Sequence, residues 1–329
     1  MSAPPLPPPP WTAQARASLT AAQRAGRLPH ALLIHESPGA GGEWLAHWSA
    51  RLALCERPES PCGNCIACRR VLAWQHPDLM RVAPLEDSRQ IRIEQLRELA
   101  ADLALTSHAG GWRVAILSPA DSLNRFAANA LLKTLEEPPP RTLLMLVATE
   151  PSRLPATVLS RCQRLALRAP QRAAAVAWLT EVRGSADWNG ALDAIGEAPL
   201  LLGDADPEAL ARAGAEARAA LDALAAGRAD PLATAERWAR SELPLRLRCF
   251  EKWLTERIRG GLGAGADITE VRPGPYLPGP GAFLNIRELF GLLDEVREIR
   301  MALDVPLNRA LALEALFRRL APRGAGVAA

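Results

Sequence analysis

No stretch of this chain reaches the roughly 18 consecutive apolar residues that a membrane span requires. Neither sign of charge dominates: 39 Lys and Arg against 36 Asp and Glu leave a net +3 over 329 residues, too little to argue for nucleic acid by itself. The nine Trp are scattered and not interleaved with Lys or Arg, so the pattern of a dedicated nucleic-acid groove is missing. The leader Met1–Pro10 has neither a basic n-region nor an apolar h-region, so it does not read as a secretory signal; its prolines predict an extended, solvated segment. No tandem repeat of fixed period is visible. What remains is a globular chain, 49% hydrophobic and 23% charged, long enough for two or three domains and expected in the cytoplasm.

Six cysteines are present, four of them bunched as Cys55-x₆-Cys62-x₂-Cys65-x₂-Cys68. In a reducing compartment that spacing points to a metal and not to disulfides. Four thiolates around Zn²⁺ close a tetrahedral site with no position left for water or substrate, so such a centre staples a loop. An iron–sulfur reading needs the next Cys four residues on, where Leu72 stands; unligated thiols are the remaining alternative. Cys162 and Cys249 are isolated and read as buried apolar fillers.

From Trp11 to Arg168 the pattern is α/β. Apolar runs of strand length recur at Ala31–His35, Leu79–Val82, Val114–Ser118 and Leu143–Ala148, with a more mixed fifth at Arg164–Leu167. Near-continuous apolar strands separated by helical stretches predict a parallel sheet with helices on both faces. After Pro170 only helical spacing remains, at 173–182, 188–195, 208–224, 232–241, 245–259, 286–303 and 307–320. A break is expected near Gly203–Pro207, and the Pro/Gly-rich stretch Arg272–Gly281 is expected to be a loop.

Between the first strand and the helical stretch Trp44–Trp48 lies Ser37-Pro38-Gly39-Ala40-Gly41-Gly42-Glu43. This has the frame of a phosphate-binding loop without its chemistry. A working loop follows its last Gly with a Lys for the β/γ-phosphates and a Ser or Thr for Mg²⁺. Gly42 stands in place of the Lys and Glu43 in place of the hydroxyl. The strand that should end in metal-holding acids, Val114–Leu117, is followed by Ser118 and Pro119, which supply no carboxylate. Asp121 reads as an N-cap for a helix over Ser122–Leu135 or as a displaced remnant of the acid site.

Ala127, Leu131 and Leu135 mark the buried stripe of a helix stopped by Pro138-Pro139-Pro140, with Lys133 and Glu137 one turn apart on its wet side. Further on, Arg161 sits in Ser160-Arg161-Cys162. Asn129–Pro139 followed by Ser160-Arg161-Cys162 resembles the signature of the clamp-loader branch of the AAA+ family. With the cysteine insertion the resemblance narrows to bacterial DNA polymerase III clamp-loader subunits. Pro10-Trp11, His30–Ile34, His76-Pro77-Asp78 and Asn308-Arg309 fall where that family has similar residues.

The resemblance implies an AAA+-like α/β domain over 11–168 with a zinc-binding insertion at 55–68, a helical lid over 169–206 and a helical collar over 207–329. The degenerate loop (Gly39, Gly41, Gly42, Glu43) and acid site (Ser118, Pro119) imply a subunit that binds no ATP and has no independent catalysis. Arg161 would act in trans on a neighbour's ATP. The absence of an Arg in Gly196-Glu197-Ala198-Pro199, where active relatives carry a nucleotide-sensing one, agrees. Implied partners are ATP-hydrolysing gamma/tau subunits and a delta subunit, with the sliding clamp and primer-template DNA reached through the complex and no membrane involved.

Two other function classes remain: an ATPase with an unconventional loop, and a zinc-dependent nucleic-acid module. Arg69 and Arg70 beside the cysteines read as solvated. Leu289, Leu292, Leu293, Val296, Ile299 and Leu303 keep helical spacing that suits a core or a partner equally.

Overall fold

The computed structural model describes residues 7–58, 60–85, 88, 90–108, 110–263, 286–303 and 308–321. Residues 1–6 of the expected polyproline leader and the whole Arg272–Gly281 loop lie outside them. The chain forms two compact units, residues 1–183 with 197–201, and residues 184–196 with 202–329. The segment expected as a lid, 169–206, is divided between them.

The first unit runs α1 (Ala13–Arg24), β1 (Ala31–Glu36), α2 (Gly42–Leu54), α3 (Ile66–Leu72), β2 (Leu79–Val82), α4 (Ile93–Ala104), β3 (Arg113–Leu117), α5 (Arg125–Glu136), β4 (Thr142–Ala148), α6 (Ala156–Leu159), β5 (Gln163–Leu167) and α7 (Arg172–Arg183). The five strands are parallel in the order β2-β3-β4-β1-β5.

The period-2 geometry of a strand explains why the central runs are apolar at every position. In β1, Leu33 joins the core shared with α4 and α5, and Leu32 and Ile34 join the core shared with α1 and α2. β4 divides the same way, Leu144 and Leu146 to one face and Met145 and Val147 to the other. β5 is an edge strand with Gln163, Arg164 and Ala166 exposed, which accounts for its mixed composition.

One expected helix start needs correcting. α5 begins at Arg125 and not at Ser122, and its cap is Asn124, whose side chain accepts from Ala127 N at 2.8 Å. Asp121 is no cap, because its carboxylate is committed to the loop after β4. The buried stripe Ala127, Leu131 and Leu135 is as expected, each at most 3% exposed. Lys133 and Glu137, however, form no ion pair with each other among the described residues; Glu136, on the same turn, pairs elsewhere.

The second unit is helical: α8 (Trp188–Ile195), α9 (Pro207–Ala225), α10 (Pro231–Arg240), α11 (Leu243–Gly263), α12 (Ile286–Met301) and α13 (Arg309–Leu320). Its core gathers Trp238, Phe250, Trp253 and Phe317, with Trp238 set edge-on to Phe317 at 5.1 Å. Leu289, Leu292, Leu293 and Val296 of α12 are buried in that core, so the helix spends its apolar stripe inside its own unit. α8 and α9 approach closely enough that a Cβ on Gly214 would come within 2.4 Å of Ala194 Cβ.

Candidate functional site

The loop between β1 and α2 has the backbone of a phosphate site. Gly39 and Gly41 take positive φ of 70° and 102°, a region that favours glycine, and α2 starts at Gly42 with its first amides facing the loop. A helix N-terminus of this kind attracts anions through unsatisfied N–H groups and the helix dipole.

Here the anion is the chain's own. Glu36, the last residue of β1, places Oε2 2.9 Å from Gly41 N and 2.6 Å from Gly42 N. The carboxyl fills the space that a side chain at position 42 would need: a Cβ on Gly42 would come within 2.7 Å of Val147 Cγ1 and 2.8 Å of Glu36 Cδ. Burial pushes the Glu36 carboxyl above its ordinary range; the Gly42 and Gly41 amides oppose this, and the negative charges of Glu43 and Asp121 add to it. Glu36 was not legible as a site residue. Its only sequence signal is an acid at the strand end directly before the glycines.

The outer side of the loop is also covered. Ala198, Leu200 and Leu201 pack against the glycines, so that a Cβ on Gly39 would come within 2.7 Å of Ala198 Cβ and one on Gly41 within 2.5 Å of Leu200 Cδ1. Leu200 N donates to Gly39 O at 3.2 Å, and Trp11 Nε1 donates to Ala40 O at 2.7 Å. Arg172 Nε, 3.0 Å from Glu197 Oε1, anchors the start of the covering segment. The stretch Gly196–Pro199 thus puts Ala198 over the loop.

Glu43, in the position of the Mg²⁺-binding hydroxyl, turns to Arg81 of β2, with Oε1 2.7 Å from Nη2, while Ser118 Oγ donates to its Oε2 at 3.4 Å. Glu43 is thus joined to β2 by an ion pair and to the end of β3 by a hydroxyl. Pro119 follows β3 and offers no ligand atom. Asp121 accepts from Thr149 N at 2.9 Å, Thr149 Oγ1 at 3.0 Å and Glu150 N at 2.8 Å, so it ties down the end of β4. Both roles foreseen for it, helix cap and displaced metal acid, give way to this one.

The cysteines converge between α2 and β2. Cys55 ends α2, Cys65 caps α3, and the four sulfurs lie within 4.8 Å of one another. Neighbouring separations are 3.6 Å for Cys55–Cys62 and 4.0 Å for both Cys55–Cys65 and Cys62–Cys68. A tetrahedron with metal–sulfur bonds of about 2.3 Å has sulfurs about 3.8 Å apart, so the arrangement fits a four-thiolate ion. Backbone amides point at the sulfurs, Cys62 N to Cys55 Sγ at 3.5 Å, Cys65 N to Cys62 Sγ at 3.4 Å and Cys68 N to Cys65 Sγ at 3.3 Å. The amides of Asn64 and Cys65 draw the Cys62 thiol down to about 6, while burial pushes that of Cys68 up. Thiolates this close cannot all ionise without a cation between them, and the cluster can hold a structural metal. Arg69 and Arg70 are exposed, as expected; Cys162 and Cys249 are buried apart from the cluster.

Arg161 lies apart from both features, next to Ser160, the C-cap of α6. Its Nη1 donates to Thr157 O at 2.9 Å, and its Nη2 lies 2.7 Å from Glu136 Oε1. The side chain is 36% exposed. Among the described residues no helix is long and apolar enough to cross a membrane.

Comparison with known proteins matches residues 11–171 to a family described as DNA polymerase III, delta subunit. The delta-prime subunit of DNA polymerase III from Pseudomonas aeruginosa is 43% identical over 162 residues, 48% of this chain and 49% of that protein. Its Escherichia coli counterpart is 40% identical over 181 residues, 54% of each chain. The tau subunit of Salmonella typhimurium is 34% identical over 44% of this chain and 22% of its own. Among solved structures, a gamma-subunit-related protein of Thermotoga maritima aligns with 92% of this chain and 98% of its own at 15% identity, with a TM-score of 0.42. The chain spans about half the length of the delta-prime relatives it matches, 49% and 54%. Through residues 11–171, this chain is similar to the delta-prime subunits of DNA polymerase III.

Proposed function

We propose that this chain is a non-hydrolysing subunit of a replicative clamp loader, an AAA+-like protein of the bacterial cytoplasm that helps load the sliding clamp onto primed DNA. The observation that carries this reading is Glu36 held by the amides of Gly41 and Gly42, where a nucleotide phosphate would otherwise sit. An internal carboxylate competes with a triphosphate for the same donors, and Glu43 and Asp121 add to its negative field. An ATPase with an unconventional loop finds no support in that arrangement.

In this reading Arg161 serves a neighbour. Hydrolysis builds charge on the γ-phosphate oxygens, and a guanidinium supplied in trans meets it with forked hydrogen bonds. Such a group is worth on the order of 10³–10⁵ in rate. The partners are gamma/tau subunits, which hydrolyse the ATP, and a delta subunit. Clamp and primer-template DNA are met through the complex. Residues 169–206 act as the lid and 207–329 as the collar. The four cysteines hold Zn²⁺ as a structural ion, the metal that four thiolates in a closed tetrahedron select.

Two measurements test this. Titrating the isolated chain with labelled ATP should show no saturable binding; micromolar binding with turnover overturns the reading. In the reconstituted complex Arg161→Ala should slow ATP hydrolysis and clamp loading while assembly, followed by native mass spectrometry, stays intact. Unchanged hydrolysis removes the role given to Arg161.

A further inference from the structure

The role given to Arg161 leaves its strongest partner unexplained. Both terminal nitrogens of the guanidinium are engaged inside the chain, Nη2 by Glu136 Oε1 at 2.7 Å and Nη1 by the Thr157 carbonyl at 2.9 Å. Glu136 is the last residue of α5, one residue short of the proline stop that begins at Pro138, and its side chain reaches the end of α6. The contact uses one carboxylate oxygen on one nitrogen, and the two side chains are 50% and 36% exposed. It is a pair that can form and open in water. Among the described residues Glu136 has no other basic partner.

We propose that Glu136 is a positioning residue that keeps the Arg161 fork folded against its own subunit until phosphate oxygens displace it. This rests on the reading of Arg161 given above. A terminal phosphate carries more negative charge than a carboxylate and presents several oxygens to the fork, so it outcompetes a one-point carboxylate contact. The exchange needs no rearrangement of α5 or α6, only a rotation of the Arg161 side chain. A pair this exposed shifts such an equilibrium by about two- to fivefold.

The full-length chain carrying Glu136→Gln and the native chain are treated with phenylglyoxal, and modification of individual arginines is followed by peptide mass mapping. Arg161 should react about two- to fivefold faster in the variant, with the exposed Arg153 unchanged as an internal control. Equal rates at Arg161 overturn the pairing. In the reconstituted complex Glu136→Gln should lower the KM for ATP by about the same factor with kcat unchanged, and should add nothing to Arg161→Ala. A lower kcat at unchanged KM overturns the proposal, since Glu136 would then assist the transition state. If Arg161→Ala leaves hydrolysis untouched, the displacement by nucleotide falls with the role of Arg161, and the phenylglyoxal rates still decide the pairing.

Discussion

Glu36 Oε2 lies 2.6 Å from Gly42 N, so the carboxylate that ends β1 satisfies the first amide of α2. The same oxygen takes Gly41 N at 2.9 Å, and one side chain thereby closes the helix end on which a phosphate-binding loop depends.

A pH dependence follows. Burial holds the Glu36 carboxyl above its ordinary value of 4.5, so the folded chain binds that proton more tightly than the unfolded one. Its contribution to stability therefore declines as pH rises from 4.5 through the raised folded value, then levels off. Glu36→Gln keeps an oxygen for the two amides and removes the titration. Its stability relative to the native chain should rise across that window, as read by urea unfolding at a series of pH values. His47 and His76, both held low by burial, titrate in the two proteins alike and cancel in the difference. A difference flat with pH would refute the account of Glu36.

Gly41 should tolerate no side chain. Its φ of 102° is strained for any L residue, and a Cβ would meet Leu200 Cδ1 at 2.5 Å. Gly41→Ala is expected to cost about 1–3 kcal/mol, measured as a lower thermal midpoint. Native stability in that variant would mean that the loop is not packed as described.

Replacing Cys65 and Cys68 together by Ser should abolish metal binding. Native mass spectrometry of the intact chain should show one tightly held ion, and none in the variant. Far-UV dichroism should change little, because the affected helix α3 has only seven residues. Retention of the ion by the double variant would contradict a four-thiolate site.

Leu292 is fully buried among the helices of the second unit. Leu292→Ala is expected to cost about 2–5 kcal/mol through lost burial and the cavity left behind. Denaturant unfolding checks this, and a loss under about 1 kcal/mol would mean that α12 is not part of that core.

Much of this architecture can be read from residue order alone. Leu32, Leu33 and Ile34 are consecutive and apolar, the pattern of a strand buried on both faces. The spacing of Cys55, Cys62, Cys65 and Cys68 marks a group able to hold a metal, because ligand geometry restricts how few residues can separate them. Gly42 and Glu43 stand where a working phosphate loop carries a Lys and a hydroxyl, and that difference is visible in the sequence.

Folding settled what local pattern leaves open. Asp121 and Asn124 are both acceptable helix caps, and only the closeness of Thr149 and Glu150 takes Asp121 away from that task. The apolar stripe of α12 is compatible with a partner or a core until Trp238 and Phe317 are seen in the same cluster. Glu36 looks like any acid at the end of a strand, and Glu136 like any acid on a wet helix face. Their roles come from bringing β1 against the start of α2, and α5 against the end of α6. A charged group's function depends on which donors the folded chain places within about 3 Å of it, and no one-dimensional pattern carries that distance.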